Sequence, residues 1–507
     1  MMMRFLPLCL LSAVLVCSPQ QGRAEFIYKD DDARLINGVL YDVDGIEVTG
    51  VYEQYYDNNI KKSSHPYTDG RINGVGTLYN EKGIKTAEMP YVNGKLDGTA
   101  FVYYDDGNLK EKIPYKNGKI DGTAKTYFPD GTILLRVNYI NGIRDGEAKE
   151  YFEDGNLKEI CTYVDGQKEG KAQIYFYDGS IKEDFSYANG EIVGDKNVYY
   201  KSGRLKSSIP YVNGKKNGEM KNYYESGELM SVVSYKDDSI SGQGAFYEKN
   251  GNLNLTVTYD NDIRNGIAKA YYPNGSIKLS VVYKNDIKNG LESEYFLNGN
   301  IKSEMPYTDG IVNGLGREYY EDGGLKMEMT YVNAVANGAA KFYAKDGKLV
   351  TEAVYKDGKK DGLQKDYAPS GNLISESTFV KDILEGDYKE FYEDGKIKST
   401  AIYVNGDLDG LSLIYDREGN LSYEVPYVKN RKEGKVKRYY PSGELMGEVT
   451  YEKGKKHGML DAYNEDGTLM AKVLFNKDKA IKGYSLDHGK NPQLMSAEDL
   501  ELINKAY

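Results

Sequence analysis

The sequence predicts an all-β fold, an elongated repeat array of antiparallel β-hairpins closed by a short C-terminal helix. Three observations predict it. Tyrosines recur every 24 residues, from Tyr91 through Tyr115, Tyr139, Tyr163 and onward to Tyr451 and Phe475. Counted back to Val43, this makes 18 consecutive units over residues 43–474, a period that signals a repeat architecture. Glycine holds fixed places between the tyrosines, and the residues between turns alternate with period two, the pattern of a half-buried strand.

The chain begins outside this pattern. Arg4 is followed by an apolar run from Phe5 to Cys17, broken only by Pro7 and Ser12, with Gly22 and Ala24 at the −3 and −1 places. Residues 1–24 therefore read as a secretory signal peptide cleaved after Ala24. The run is short of the ~20 residues a membrane-spanning helix needs. Lipidation of Cys17 is the competing reading, against which Val16 is large for the preceding position. This leader implies export to the periplasm, the cell surface or the medium. Its removal takes away Arg4 and Arg23, so the net charge moves from −11 to −13. An acidic chain with scattered lysines lacks the basic patch that nucleic acid or anionic lipid requires. Only Cys161 remains after cleavage, so no internal disulfide is available.

Residues 25–42 read as a charged strand pair that covers the first edge of the array. Within the array, places are numbered from the leading tyrosine of each unit. Place 8 is glycine in all 18 units, from Gly50 to Gly458. Place 17 is glycine in 17 of them, and the exception, Asn59, is the residue type that best tolerates a left-handed backbone. Pro129, Pro273, Pro369 and Pro441 occupy place 15, which suits the second position of a type I turn followed by a glycine bulge. That turn sets place 13 across from place 19, as Tyr103 opposite Leu109 and Tyr151 opposite Leu157. Places 19, 23 and the next place 1 alternate with polar residues, as Leu205, Ile209 and Tyr211 do. Places 13, 19, 23 and 1 are therefore expected on one buried face, with Asn-Gly at places 3–4 and the place-8 glycine leading into the next hairpin. A lone hairpin is barely stable, so stability accumulates by stacking neighbours. The array extends to about residue 483. In the tail, 484–507, Ser496 to Asp499 form a capping-box pattern ahead of a short helix.

These residues resemble the MORN-repeat class in its bacterial variant form. The match is the N-G-K-x-x-G then Y-x-x-x-G pattern of Asn213–Gly218 with Tyr223 and Gly227, and Gly454–Gly458 restores the family's His-Gly through His457. The resemblance covers about 43–483. It departs in a 24-residue pitch, where the family runs near 23, and in the absence of tryptophan. It implies elongated antiparallel sheet and non-enzymatic scaffolding or binding.

No catalytic constellation is evident. His65, His457 and His488 are far apart, Cys161 falls at the apolar place 23, and carboxylates in register at places 3, 7 and 16 have turn backbone to bond. The D-x-D-x-D-G calcium pattern is missing, and no Gly-rich loop opens a helix to cradle phosphate. The expectation is no enzyme activity, no cofactor and no metal. What remains is surface. Place 14, facing away from the place-13 tyrosine, is repeatedly aromatic, and its tyrosines Tyr104, Tyr200, Tyr224, Tyr272, Tyr320, Tyr392 and Tyr440 form the candidate binding row. Lysine is common at the diagonal place 20. Either lysine stems pack over these rings, or the rings form a ladder for a partner. The partner read from this pattern is a protein bound through many similar modules, with a glycan or cell-wall polymer as the alternative.

Overall fold

The computed structural model describes residues 26–27 and 33–506. The signal peptide expected at 1–24 lies outside the described residues. By internal packing the chain divides into two units, one running through Leu229 together with Tyr235–Asp238, the other comprising Met230–Ser234 and the residues from Ser239 onward. Both are built the same way. Among the described residues the strand pairings are antiparallel and join strands close in sequence; 45 of the described strands belong to the repeat sheet and three to a separate N-terminal sheet.

One repeat in the first unit shows why the sequence folds this way. Gly98–Tyr103 and Leu109–Lys116 form the hairpin, with Ala100 opposite Ile113 and Tyr103 opposite Leu109. The turn between them carries a Gly107 N–H donating to the Tyr104 carbonyl at 2.9 Å, and Gly107 has φ +90°. This is the turn-plus-bulge that proline at place 15 implies. Asn59 does adopt φ +60° at the glycine's place. Asp106 Oδ1 accepts the Asn108 N–H at 2.9 Å and pins the turn from inside. The next connection is tighter: Val92 pairs with Lys95, and Asn93 and Gly94 between them have φ of +48° and +81°. Two successive left-handed residues make a type I′ turn, whose twist matches that of the flanking strands.

Carboxylates at place 7 also serve turns, one unit on. Asp97 Oδ2 accepts the Asn117 N–H at 3.0 Å, and Glu385 Oε2 accepts that of Asn405 at 2.6 Å. The place-8 glycine answers two demands at once. Gly98 has φ +117°, and a Cβ there would stand 3.1 Å from Pro90 Cγ. Only glycine meets both at low cost.

The core lies on one face. In the first unit Val137, Tyr139, Ala148, Cys161, Ala172 and Phe185 are buried together, with Ile120, Leu135 and Ile174 against them. In the second, Val425, Val436, Val449, Val473 and Phe475 do the same. These are places 1, 6, 10, 12, 21 and 23. Among the described residues no place-13 tyrosine and no place-19 leucine belongs to a buried cluster, which corrects the expectation that they share the core face. The pairing of place 13 with place 19 is as expected; the face is not. The reason is the register shift between places 12 and 13, which leaves place 20 as the extra residue of the bulge. Place 20 therefore joins place 12, as Lys158 Nζ does Glu150 at 2.6 Å and Lys398 Nζ does Glu390 at 2.7 Å. Tyr103 turns the other way, its hydroxyl donating to Glu88 at place 22 over 2.6 Å. Burial and the Glu88 carboxylate push the Tyr103 phenol up to about 12.

Both termini are finished by non-repeat structure. Phe26–Ile27, Ala33–Ile36 and Val39–Asp42 form the three-stranded sheet, and Leu40, fully buried, packs with Ala33 and Tyr67. At the other end Ala497–Ala506 is the helix. Ser496 Oγ accepts the Asp499 N–H at 3.1 Å while Asp499 Oδ2 accepts the Ser496 N–H at 2.9 Å, a reciprocal capping box. Its Leu500 and Ile503 pack with Met495 against the Phe475 cluster.

Candidate binding surfaces

The place-14 rings sit beside the turn, on the side that carries the core, and are half-buried. Six of the tyrosine hydroxyls donate to the backbone of the next repeat. Tyr104 donates to the Tyr127 carbonyl at 2.7 Å, Tyr200 to that of Tyr223, Tyr272 to that of Tyr295, Tyr320 to that of Tyr343 and Tyr392 to that of Tyr415, each at 2.8 Å, and Tyr440 to that of Tyr463 at 2.9 Å. Tyr224 occupies the same place with a half-buried ring. Each bond runs from one repeat to the backbone of the next, so the tyrosine ties neighbours together as well as showing a ring face. Cations cap several rings: Lys110 lies 5.5 Å from the Tyr104 centroid, Lys206 5.6 Å from Tyr200 and Lys278 5.9 Å from Tyr272. The Tyr104 phenol is raised, first by burial and then by Glu111 and Asp106 nearby.

A second row was not evident from the sequence. Cations at place 6 stand over the place-1 aromatic of the following repeat: Arg144 over Tyr163 at 5.4 Å, Lys168 over Tyr187 at 4.9 Å, Arg264 over Tyr283 at 4.4 Å and Lys360 over Phe379 at 5.1 Å. The recurring spacing of 19 residues between a basic residue and an aromatic is the signal that would have found it.

The remaining chemistry-bearing groups are dispersed. The Cys161 side chain is buried, and burial raises its thiol. His65 packs over Gly76, its Nδ1 is buried without a hydrogen-bond partner, and burial lowers its basicity. His457 lies 3.8 Å from Glu452, and His488 3.8 Å from Asp466. Among the described residues no group of His, Cys, Asp and Glu is arranged to hold a metal ion, and no helix is long and apolar enough to cross a membrane.

The repeats themselves decide the family. Residues 96–117, 120–141, 144–165, 216–237, 264–285, 288–309, 312–333, 336–357, 360–381, 384–405, 408–429 and 432–453 match the family described as MORN repeat variant, more than half of the chain, and 162–181 match the MORN repeat. The chain belongs to the MORN repeat variant family. Each variant match runs from place 6 of one unit to place 3 of the next, so it frames the bulged hairpin and the left-handed turn after it. No curated protein matches this MORN-repeat chain. Among solved structures it is similar to "Crystal Structure of TcdB2-TccC3-TEV" at 12% identity, covering 93% of this chain and 30% of that one, with a TM-score of 0.13. It is likewise similar to "Structure of Photorhabdus luminescens Tc holotoxin pore, Mutation TccC3-D651A" at 11% identity, covering 89% and 29%, with a TM-score of 0.14. The chain spans less than a third of those proteins, and likenesses at such TM-scores carry no argument about this one.

Proposed function

We propose that this MORN-repeat chain is an exported, non-enzymatic scaffold that binds a protein partner at or beyond the cell envelope. The contact is the row of place-14 rings, Tyr104, Tyr200, Tyr224, Tyr272, Tyr320, Tyr392 and Tyr440. The observation that carries the reading is the bond from the tyrosine hydroxyl to the next repeat's carbonyl, seen at Tyr200 and Tyr320. It fixes the orientation of the rings that make it before any partner arrives, which lowers the ordering cost of binding. Repetition along the chain then multiplies weak contacts. Export rests on the leader pattern of residues 1–24.

The test is capture of partners from envelope and host-surface extracts with the full chain, and with Tyr200→Ala/Tyr224→Ala and Tyr200→Phe/Tyr224→Phe variants. Binding through oriented ring faces weakens in the phenylalanine pair, which keeps the ring and loses the orienting bond, and falls further in the alanine pair. A protein partner held equally by all three would overturn the assignment of the surface. Loss of protein capture, with glycan-array binding that needs Tyr200 and Tyr224, would replace the protein partner by a carbohydrate.

A further inference from the structure

Place 9 changes chemistry along the array. It holds Val51, Val75, Thr99 and Thr123 in the first repeats, then the polar run Glu147, Lys171, Asp195, Glu219 and Gln243, then Ile267, Leu291, Leu315, Leu363 and Leu411 with Ala339 and Asp387 between, and Lys435 and Met459 after them. The backbone around it does not change. Glu147 pairs with Thr162 in one repeat, and Leu363 pairs with Thr378 in another. The fold is therefore indifferent to polarity here, and the sustained apolar run from Ile267 to Leu411 needs a separate cause. These side chains are open to water: Leu315 is 39% exposed, Leu363 43% and Leu411 45%. A parallel column flanks them, where Val332 pairs with Val335 and Val380 with Ile383, all four exposed. At Ala339 the column is dented by a recess of about 180 Å³, lined in part by Val354 and Leu363.

The strip has the size and charge of a self-interface. From Ile267 to Leu411 it crosses six repeats of two strands, or ~58 Å at ~4.8 Å per strand. Two side-chain columns, ~14 Å wide together, give ~800 Å² per copy, the standard size of a specific interface. Beside it run place-11 cations and place-22 anions already joined within the chain, Arg317 to Glu328 at 2.9 Å and Lys365 to Glu376 at 3.6 Å. A chain of net charge −11 repels its own copies over most of its surface. This border carries neutralised pairs, whose alternating order is complementary to itself under a two-fold rotation.

We propose that the apolar strip between Ile267 and Leu411 is a homodimer interface, laid against the same strip of a second copy. The proposal is independent of the place-14 row. Its test is the mass of the full chain in solution at micromolar concentration, by light scattering or sedimentation equilibrium. The parent is expected at the mass of two chains. Leu315→Glu/Leu363→Glu, which installs the residue that Glu147 and Glu219 already provide at this place, is expected at one chain with an unchanged far-UV CD spectrum. Thr99→Glu, the same change of place in the first unit, is expected to stay at two. A parent of one chain, or a double variant that keeps the mass of two, overturns the proposal; so does dissociation by Thr99→Glu.

Discussion

Gly290→Ala and Gly386→Ala make the same change at the same place of the repeat and should have unequal effects. Gly290 has φ +123°, and an added Cβ would lie 3.0 Å from Val282 Cβ, 3.3 Å from Cγ1 and 3.4 Å from Cγ2. Gly386 has φ +85° with nothing within 4 Å of the added atom. Alanine at Gly386 therefore meets the left-handed backbone penalty alone, ~1–2 kcal/mol. At Gly290 it meets a conformation that side chains rarely adopt and a crowded strand neighbour, which adds ~1–3 kcal/mol of overpacking. The expected losses are about 1.5 and about 3.5 kcal/mol from these two terms. A long array does not unfold in one step, so the assay is amide hydrogen exchange read by mass spectrometry over residues 277–307 and 373–403. Loss of protection should be confined to the altered repeat and its neighbours and be greater for Gly290→Ala. Equal losses, or no loss at Gly290, would refute the reasoning that Val282 and the backbone act together.

Three further outcomes are expected. Tyr320→Phe removes the 2.8 Å bond to the Tyr343 carbonyl and should cost ~1 kcal/mol locally, seen as faster exchange on both sides of that junction, with Tyr320→Ala worse. His65 has a folded pKa below its ordinary 6.5 because of burial, so its contribution is fully present above pH 6.5 and is lost as pH falls through the lowered value. Exchange in residues 50–79 should accordingly quicken between neutral pH and pH 5 after correction for the intrinsic rate, and His65→Val should flatten that dependence. The Asp499 carboxylate is held below its usual 3.8 by Ser496, so the terminal helix keeps its cap above that pH and loses it as pH falls further. Ser496→Ala should fray the helix already at neutral pH, read by NMR of residues 497–506.

Much of the fold was legible because the repeat turns one local decision into eighteen readings of it. Proline at place 15 and the lone Asn59 at place 17 disclosed the turn, and the turn disclosed the pairing of Tyr103 with Leu109. Which face those two occupy was not legible. Tyr103 and Tyr104 are adjacent tyrosines, and a phenol ring suits either a core or a carboxylate neighbour. The bulge moves one residue, Lys110 or its equivalents, out of alternation without leaving a mark in composition. The candidate surface was legible as a row of place-14 aromatics. The use of their hydroxyls was not, since the acceptor is a backbone carbonyl 23 residues away that any sequence supplies. The apolar strip at place 9 was open to view, but it stands out only after the paired strands show Glu147 and Leu363 in the same setting.

The claim beneath the whole account is that each 24-residue period is one interchangeable hairpin joined only to its neighbours. Deletion of Tyr331–Val354, one full period, tests it most directly against deletion of Tyr331–Phe342, half of one. Removing the full period should reconnect place 24 to place 1 and leave a soluble chain with parental exchange protection on both sides of the junction. Removing the half should leave one strand without its partner, reverse the faces and strip protection from the adjoining repeats. Equal behaviour of the two deletions would contradict the account.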